Sequence, residues 1–186
     1  MARKSDLRTE LRTKRKAMEA GQAATLSQRI LRLVLGQVPF HGVETVGLYW
    51  PVGDEVDPRG IASSELLEDC GFALPVTVGE EKPLEFWFWQ PGDDLTKGAY
   101  GEMVPVRREL ARPDLLLIPL LGFDRAGYRL GQGGGYYDRT LHDLRKSRSI
   151  LAVGVAFSFQ ECLNVPHEPH DEVLDRVVTE KEMIVF

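Results

Sequence analysis

Residues 114–120 read DLLLIPL, an uninterrupted apolar run behind one aspartate. A strand with one face in water alternates polar and apolar residues, whereas a strand apolar at every position needs cover on both faces. The run therefore predicts a central strand with helices packed on either side. Downstream, the long glycine-rich segment after Leu120 leads into a helix over about 134–146, followed by a second apolar strand, ILAVGVAF at 150–157. Val177 and Val178 suggest a last short strand. Upstream, VETVGLYW at 43–50 reads as a strand stopped by Pro51. Residues 58–69 read as a helix ending before Gly71, and 72–78 and 84–89 as strands, the latter bracketed by Pro83 and Pro91-Gly92. Two helices, 3–19 and 23–37, open the chain on either side of Gly21. Strands alternating with helices predict an α/β fold, a three-layer α/β/α sandwich with a mostly parallel central sheet. Ligands in such sheets bind outside the carboxyl ends of the strands.

The 186 residues fit a single domain spanning 1–186, long enough to bury a sizeable core. A net charge of −5 argues against a nucleic-acid partner, since such domains are usually basic. No apolar run approaches the roughly 20 residues of a membrane span. Met1 to Ala20 carries Asp6, Glu10 and Glu19 with no apolar stretch, so no signal peptide is expected. Cys70 and Cys162 lie far apart without a CxxC pattern and read as free buried thiols of a reducing compartment. A cytoplasmic monomer is expected.

Residues 127–139, GYRLGQGGGYYDR, carry most of the chemistry. Gly131, Gly133, Gly134 and Gly135 let the backbone curl tightly. Converging N–H groups and the positive end of the next helix can then hold a phosphate. Glycine spacing alone fits a flexible turn as well. Around it, Arg129 supplies a fixed positive charge, Tyr136 and Tyr137 supply flat surfaces, and Asp138 sits in the first helical turn, a natural place for a Mg²⁺ ligand beside phosphates.

Other residues converge on the same theme. At about 100° per residue, Lys4, Arg8, Arg12 and Arg15 form a stripe roughly 80° wide on the first helix. Leu7, Leu11 and Met18 run beside it, so Lys4 and Arg8 border the buried face, while Lys14 and Lys16 read as solvated. Trp50, at a strand end, is either core packing or a wall for a flat ring. Glu55 is either a surface carboxylate or an acceptor for paired N–H donors. His167 and His170 have HxxH spacing, but Pro166 and Pro169 break any helix and no third ligand is near, which argues against zinc. Asp171 is the stronger acidic candidate of that loop, ahead of Glu172 and Asp175. Phe86, Trp87, Phe88 and Trp89 fit alternating exposure on a strand.

GYRLGQGGGYYDR resembles the signature of the 5-formyltetrahydrofolate cyclo-ligases, also called methenyltetrahydrofolate synthetases. YWPVGDEVDP (49–58), PHEPHDEVLDRVVTE (166–180) and KSDLR (4–8) agree with it in the right order, so the resemblance covers nearly the whole chain. It implies an ATP- and Mg²⁺-dependent conversion of 5-formyltetrahydrofolate to 5,10-methenyltetrahydrofolate, with no side-chain nucleophile. It further implies ATP contacts from Lys4, Arg8, Arg129, Leu130, Gly131, Gln132, Gly133, Gly134, Gly135, Tyr136 and Tyr137. Folate contacts would come from Trp50, Glu55, Gln132, Gly133, Gly134, Gly135 and Tyr136, and Mg²⁺ ligands from Asp138 and Asp171. Two positions depart from the pattern. Gln132 stands where the family usually has a larger cationic or aromatic residue, and Gly134 where some members have lysine. Resemblance to phosphosugar isomerases or coenzyme A transferases rests on fold analogy alone. A folate- and nucleotide-binding protein without turnover is the other alternative, and Gln132 is its one argument.

Overall fold

The computed structural model describes residues 3–186. In chain order the elements are α1 (Lys4–Lys16), α2 (Gln22–Gln37), β1 (Thr45–Gly47), β2 (Gly71–Val76), β3 (Glu85–Phe88), β4 (Leu95–Lys97), β5 (Met103–Pro105), β6 (Leu110–Ala111), β7 (Leu115–Pro119), β8 (Gly122–Phe123), β9 (Arg129–Leu130), α3 (Tyr136–Ser147), β10 (Leu151–Val155), β11 (Arg176–Val178) and β12 (Met183–Val185). Eight strands form one sheet in the order β12-β11-β10-β7-β1-β2-β3-β6. The inner strands β11, β10, β7, β1 and β2 are mutually parallel, and the antiparallel pairings lie at the two sides.

β7 sits in the middle, and Leu115 to Ile118 are each at most 1% exposed. The two-residue period of a strand divides them. Leu115 and Leu117 enter the cluster containing Ile30 and Val34 of α2. Leu116 and Ile118 enter the cluster containing Leu141 of α3. The predicted cover on both faces is thus two helical layers, and the α/β/α sandwich stands.

Three details differ from expectation. Residues 58–69 are not an α-helix but two 3₁₀ turns, Arg59–Ser63 and Glu65–Leu67. Ser64 between them is extended, with ψ 128°, and its hydroxyl accepts from the Leu66 N–H at 3.3 Å. A serine side chain that takes a nearby backbone donor competes with helical bonding. Next, the glycine-rich segment contains the hairpin β8–β9 before its loop. Finally, α3 begins at Tyr136 rather than 134 because Gly135 caps it in the left-handed conformation, φ 66°.

α1 lies outside the two main layers. Leu11, 3% exposed, packs with Leu130 and Val165 in a third small cluster flanked by Leu7. That contact sets the basic stripe of α1 against the loop leaving β9. Cys70 and Cys162 are free and half-buried.

Candidate functional site

The site forms where chain leaving β1 and chain leaving β9 meet the stripe of α1. Beyond β1 the Leu48 N–H still donates to Ala73 O at 2.8 Å, and the chain then leaves the sheet toward Trp50 and Glu55. On the other side the loop Gly131–Gly135 leads from Leu130, itself 1% exposed, into α3. Gly133 has φ 114°, and a Cβ there would lie 3.4 Å from Arg8 Cζ. Backbone freedom and close approach of a guanidinium are both required at that point.

The four stripe residues take successive steps along this opening. Lys4 Nζ pairs with Asp171 Oδ2 at 2.7 Å. Arg8 Nε donates to Gly131 O at 2.8 Å. Arg12 Nη2 donates to Gln132 Oε1 at 2.7 Å. Arg15 Nη1 lies 3.6 Å from Glu55 Oε1, with both side chains nearly buried. Sequence reasoning singled out Lys4 and Arg8, yet Arg12 and Arg15 reach the same opening. The 80° stripe held that signal, because all four residues share one helix face. Lys14 instead pairs with Glu10 on the exposed side.

Glu55 is fixed from several directions. Its Oε2 accepts from the Val52 N–H at 3.1 Å, and Gln132 Nε2 approaches Oε1 at 3.5 Å. Trp50 is half-buried, crosses Trp89 edge-on at 6.3 Å, and carries the Arg59 guanidinium 3.9 Å above its ring centre. Asp57 holds that guanidinium in a fork, at 2.8 Å to Nε and 2.6 Å to Nη2. Tyr136 bonds Tyr100 through their hydroxyls at 2.6 Å, so the β4–β5 region reaches the glycine loop. Nothing in the sequence of Tyr100 signalled this, since its partner is 36 positions away. Gly134 O accepts from Arg139 Nη2 at 2.8 Å, which ties the loop to α3.

The acidic end is tightly organised. Arg129, with a side chain only 5% exposed, pairs with Asp138 Oδ1 at 2.6 Å, and its Nη1 donates to Glu172 O. Asp138 Oδ1 also accepts from the Glu172 N–H at 3.0 Å. Arg145 Nη1 holds the Glu172 carboxylate at 2.7 Å. The sequence placed Glu172 behind Asp171, and the structure makes it the backbone bridge between Arg129 and Asp138. Burial lowers the Arg129 pKa, opposed by the charges of Asp138 and Asp171. Burial alone would push the Asp171 carboxyl up, but hydrogen bonds from Lys4 and the Glu168 N–H outweigh it and hold the pKa low. His167 stacks on Tyr128 with ring centres 3.6 Å apart.

Buried tyrosines complete the floor. Tyr49 donates to Val56 O at 2.5 Å, and burial raises its pKa well above normal. Burial also raises the Tyr137 pKa far above its usual value, with Glu55 pushing further and Arg129 pulling back. The Tyr137 hydroxyl and Trp89 Nε1 are buried polar atoms with no hydrogen-bond partner among the described residues.

A divalent cation is a reasonable fit to this donor set. Among the described residues no group of three or more His, Cys, Asp or Glu is arranged to hold a metal ion. Asp138 uses Oδ1, and Asp171 uses Oδ2, for the hydrogen bonds above. The second oxygen of each carboxylate lies outside them. Two carboxylate oxygens suit Mg²⁺, which usually takes one or two carboxylates and fills its octahedron with phosphate oxygens and water. No helix among the described residues is long and apolar enough to cross a membrane.

A family model for the 5-formyltetrahydrofolate cyclo-ligase family matches residues 1–180. A 5-formyltetrahydrofolate cyclo-ligase of Mycolicibacterium smegmatis is 35% identical over 198 aligned positions, covering 98% of this chain and 96% of its own. One from Haemophilus influenzae is 29% identical over 175 positions, covering 91% and 93%. The NMR structure of Aquifex aeolicus 5,10-methenyltetrahydrofolate synthetase superposes with a TM-score of 0.81 at 33% identity, over 98% of this chain and 92% of that one. The fold, the ordered motifs and these matches agree: the chain belongs to the 5-formyltetrahydrofolate cyclo-ligase family, and it is an enzyme.

Proposed function

We propose that the chain uses ATP to convert 5-formyltetrahydrofolate to 5,10-methenyltetrahydrofolate, releasing ADP and phosphate. The observation that carries this reading is the docking of α1. It sets Lys4 at Asp171 and Arg8 at the glycine loop, with Arg15 of the same helix face at Glu55. Cations, curled backbone and carboxylates at one end suit a polyphosphate. An aromatic wall and a fixed carboxylate at the other suit a flat ring with adjacent N–H donors. Family membership supports both ligands.

In this reading Lys4, Arg8, Arg129 and the 130–137 backbone and side chains hold ATP. Trp50, Glu55, Gln132 and the adjoining loop from Gly133 to Tyr136 hold the folate. Asp138 and Asp171 would hold Mg²⁺, which would supply positive charge against the phosphates. The N5-formyl oxygen attacks the γ-phosphorus, so a formyl O–P bond forms and ADP leaves with the electron pair. N10 then bonds the activated carbon, and the C–O bond breaks toward phosphate. The N10 proton ends on that phosphate as hydrogen phosphate. The protein positions the two substrates and balances charge, as is usual in phosphoryl transfer. No side-chain nucleophile is needed. The same reading takes the chain as a single-domain cytoplasmic monomer acting on small molecules.

The test is growth of methenyl absorbance from 5-formyltetrahydrofolate, with and without ATP and Mg²⁺, beside ADP release. Equal ADP and methenyl product is expected. Binding of both substrates without turnover would leave a binding protein, and no binding of either would remove the proposal.

A further inference from the structure

Three cations on the basic face of α1 spend their donors at close range. Lys4 meets Asp171 at 2.7 Å, Arg8 meets Gly131 O at 2.8 Å and Arg12 meets Gln132 Oε1 at 2.7 Å. Arg15, on the same face, stands off. Its Nη1 lies 3.6 Å from Glu55 Oε1, beyond hydrogen-bond length, although the two side chains are only 12% and 10% exposed. A nearly buried ion pair is expected to close into hydrogen bonds, because each ion otherwise gives up water without replacement. Arg59 and Arg129 do close on their carboxylates, at 2.6 Å each.

The groups around Glu55 have fixed roles. Its Oε2 accepts from the Val52 N–H at 3.1 Å, and Gln132 Nε2 faces its Oε1 at 3.5 Å. That amide cannot turn round, since Arg12 on its other side offers only donors and Glu55 only acceptors. A ring edge that reaches the Glu55 carboxylate therefore finds acceptors there and the Arg15 guanidinium directly beside them. The pterin of a folate presents, in order, its 2-amino group, N3–H and the 4-oxo group. The first two are donors and suit a carboxylate. The third is an acceptor and calls for a donor next to that carboxylate.

We propose that Arg15 is a specificity-determining residue that donates to the 4-oxo group of the pterin while Glu55 accepts from N3–H and the 2-amino group. The inference rests on the folate reading above. A carboxylate alone accepts from any pair of neighbouring N–H groups. A guanidinium beside it restricts the site to rings whose next atom is an acceptor, and its planar array of donors suits a flat edge. The stand-off of Arg15 from Glu55 is then a property of the site, since its acceptor arrives with the substrate.

The experiment titrates wild type, Arg15→Met and Arg15→Lys with 5-formyltetrahydrofolate and with its analogue carrying sulfur in place of the 4-oxo oxygen. Sulfur is a weak acceptor, and the analogue keeps both N–H donors for Glu55. Wild type should bind the oxo compound about tenfold more tightly. In Arg15→Met the two affinities should come within about twofold of each other, whatever loss both share from disturbing Glu55. Arg15→Lys keeps the charge but is shorter and lacks the fork, so its preference should be intermediate. It decides the question if Arg15→Met does not fold. If Arg15 only holds Glu55 in place, both compounds weaken equally and the full preference persists in the folded variants, which overturns the proposal. A wild-type preference below about twofold overturns it as well. Failure of wild type to bind 5-formyltetrahydrofolate at all would instead sink the parent reading, before any variant is compared.

Discussion

Lys4 Nζ lies 2.7 Å from Asp171 Oδ2, an ion pair that joins the first helix to the loop before β11 across 167 positions. Both side chains are mostly shielded, 27% and 15% exposed. The pair ties the basic stripe of α1 to the acidic loop, so removing either member disturbs both.

Arg8→Ala and Lys4→Ala should raise the KM for ATP about ten- to a hundredfold, with little change for folate, because a charge-assisted contact to phosphate contributes roughly 1.5–3 kcal/mol. Arg8→Ala is the cleaner of the two, as Lys4→Ala also releases Asp171. Lys14→Ala and Lys16→Ala, on exposed positions of the same helix, should change little, since exposed charges contribute at most about 1 kcal/mol. Steady-state kinetics on the four variants checks this. If all four behave alike, the stripe is a solvated helix face.

Excess chelator should abolish methenyl formation. Asp138→Asn and Asp171→Asn should each reduce kcat by roughly a hundredfold or more, by analogy with loss of other charge-stabilising groups. Their stabilities should differ. Asp138→Asn leaves the nearly buried Arg129 without its carboxylate and should lower Tm. Asp171→Asn weakens bonds only to the partly exposed Lys4 and the Glu168 N–H and should lower it less. Parallel kinetics and thermal melts decide both points, and near wild-type kcat in either variant shows the ion to be misplaced.

Glu55→Gln should weaken folate binding about ten- to a hundredfold and leave ATP binding nearly unchanged, because one acceptor becomes a donor facing the donors of the pterin. Arg15→Met should produce a weaker version of the same effect, since Arg15 lies beside Glu55 Oε1 at 3.6 Å. Separate titrations with 5-formyltetrahydrofolate and a non-hydrolysable ATP analogue give the comparison. Equal loss for both ligands would point to a folding defect.

Asp57 offers a pH test. Burial alone would raise its pKa, but the fork from Arg59 outweighs it and leaves the pKa lowered. A depressed carboxyl pKa stabilises the fold above the unfolded value, about pH 4, and that stability is lost as pH falls through the folded value. Asp57→Asn should therefore lower Tm at neutral pH, and the gap to wild type should close in acid. A gap independent of pH would show that the charge of Asp57 is not its contribution.

Much of this molecule was readable before any coordinates. DLLLIPL at 114–120 demanded cover on both faces, and its alternate residues do enter two different helical layers. Such patterns are legible because they follow from the period of one element. The ordered motifs likewise identified the family, since each is contiguous. The failures have the opposite character. Strands such as β6 and β9, two residues each, have no period to detect. The helix expected over 58–69 lost to a local bond from Ser64 that averaged propensity does not register. The contacts of Arg12 with Gln132 and of Arg15 with Glu55 needed α1 to dock on Leu130 and Val165, which local pattern does not specify. Sequence by itself determined the layers, the family and the identity of the chemical groups. Only tertiary structure decided which groups meet and which buried donors, the Tyr137 hydroxyl and Trp89 Nε1, are left without a partner among the described residues, because those outcomes depend on side chains tens of positions apart packing in one place.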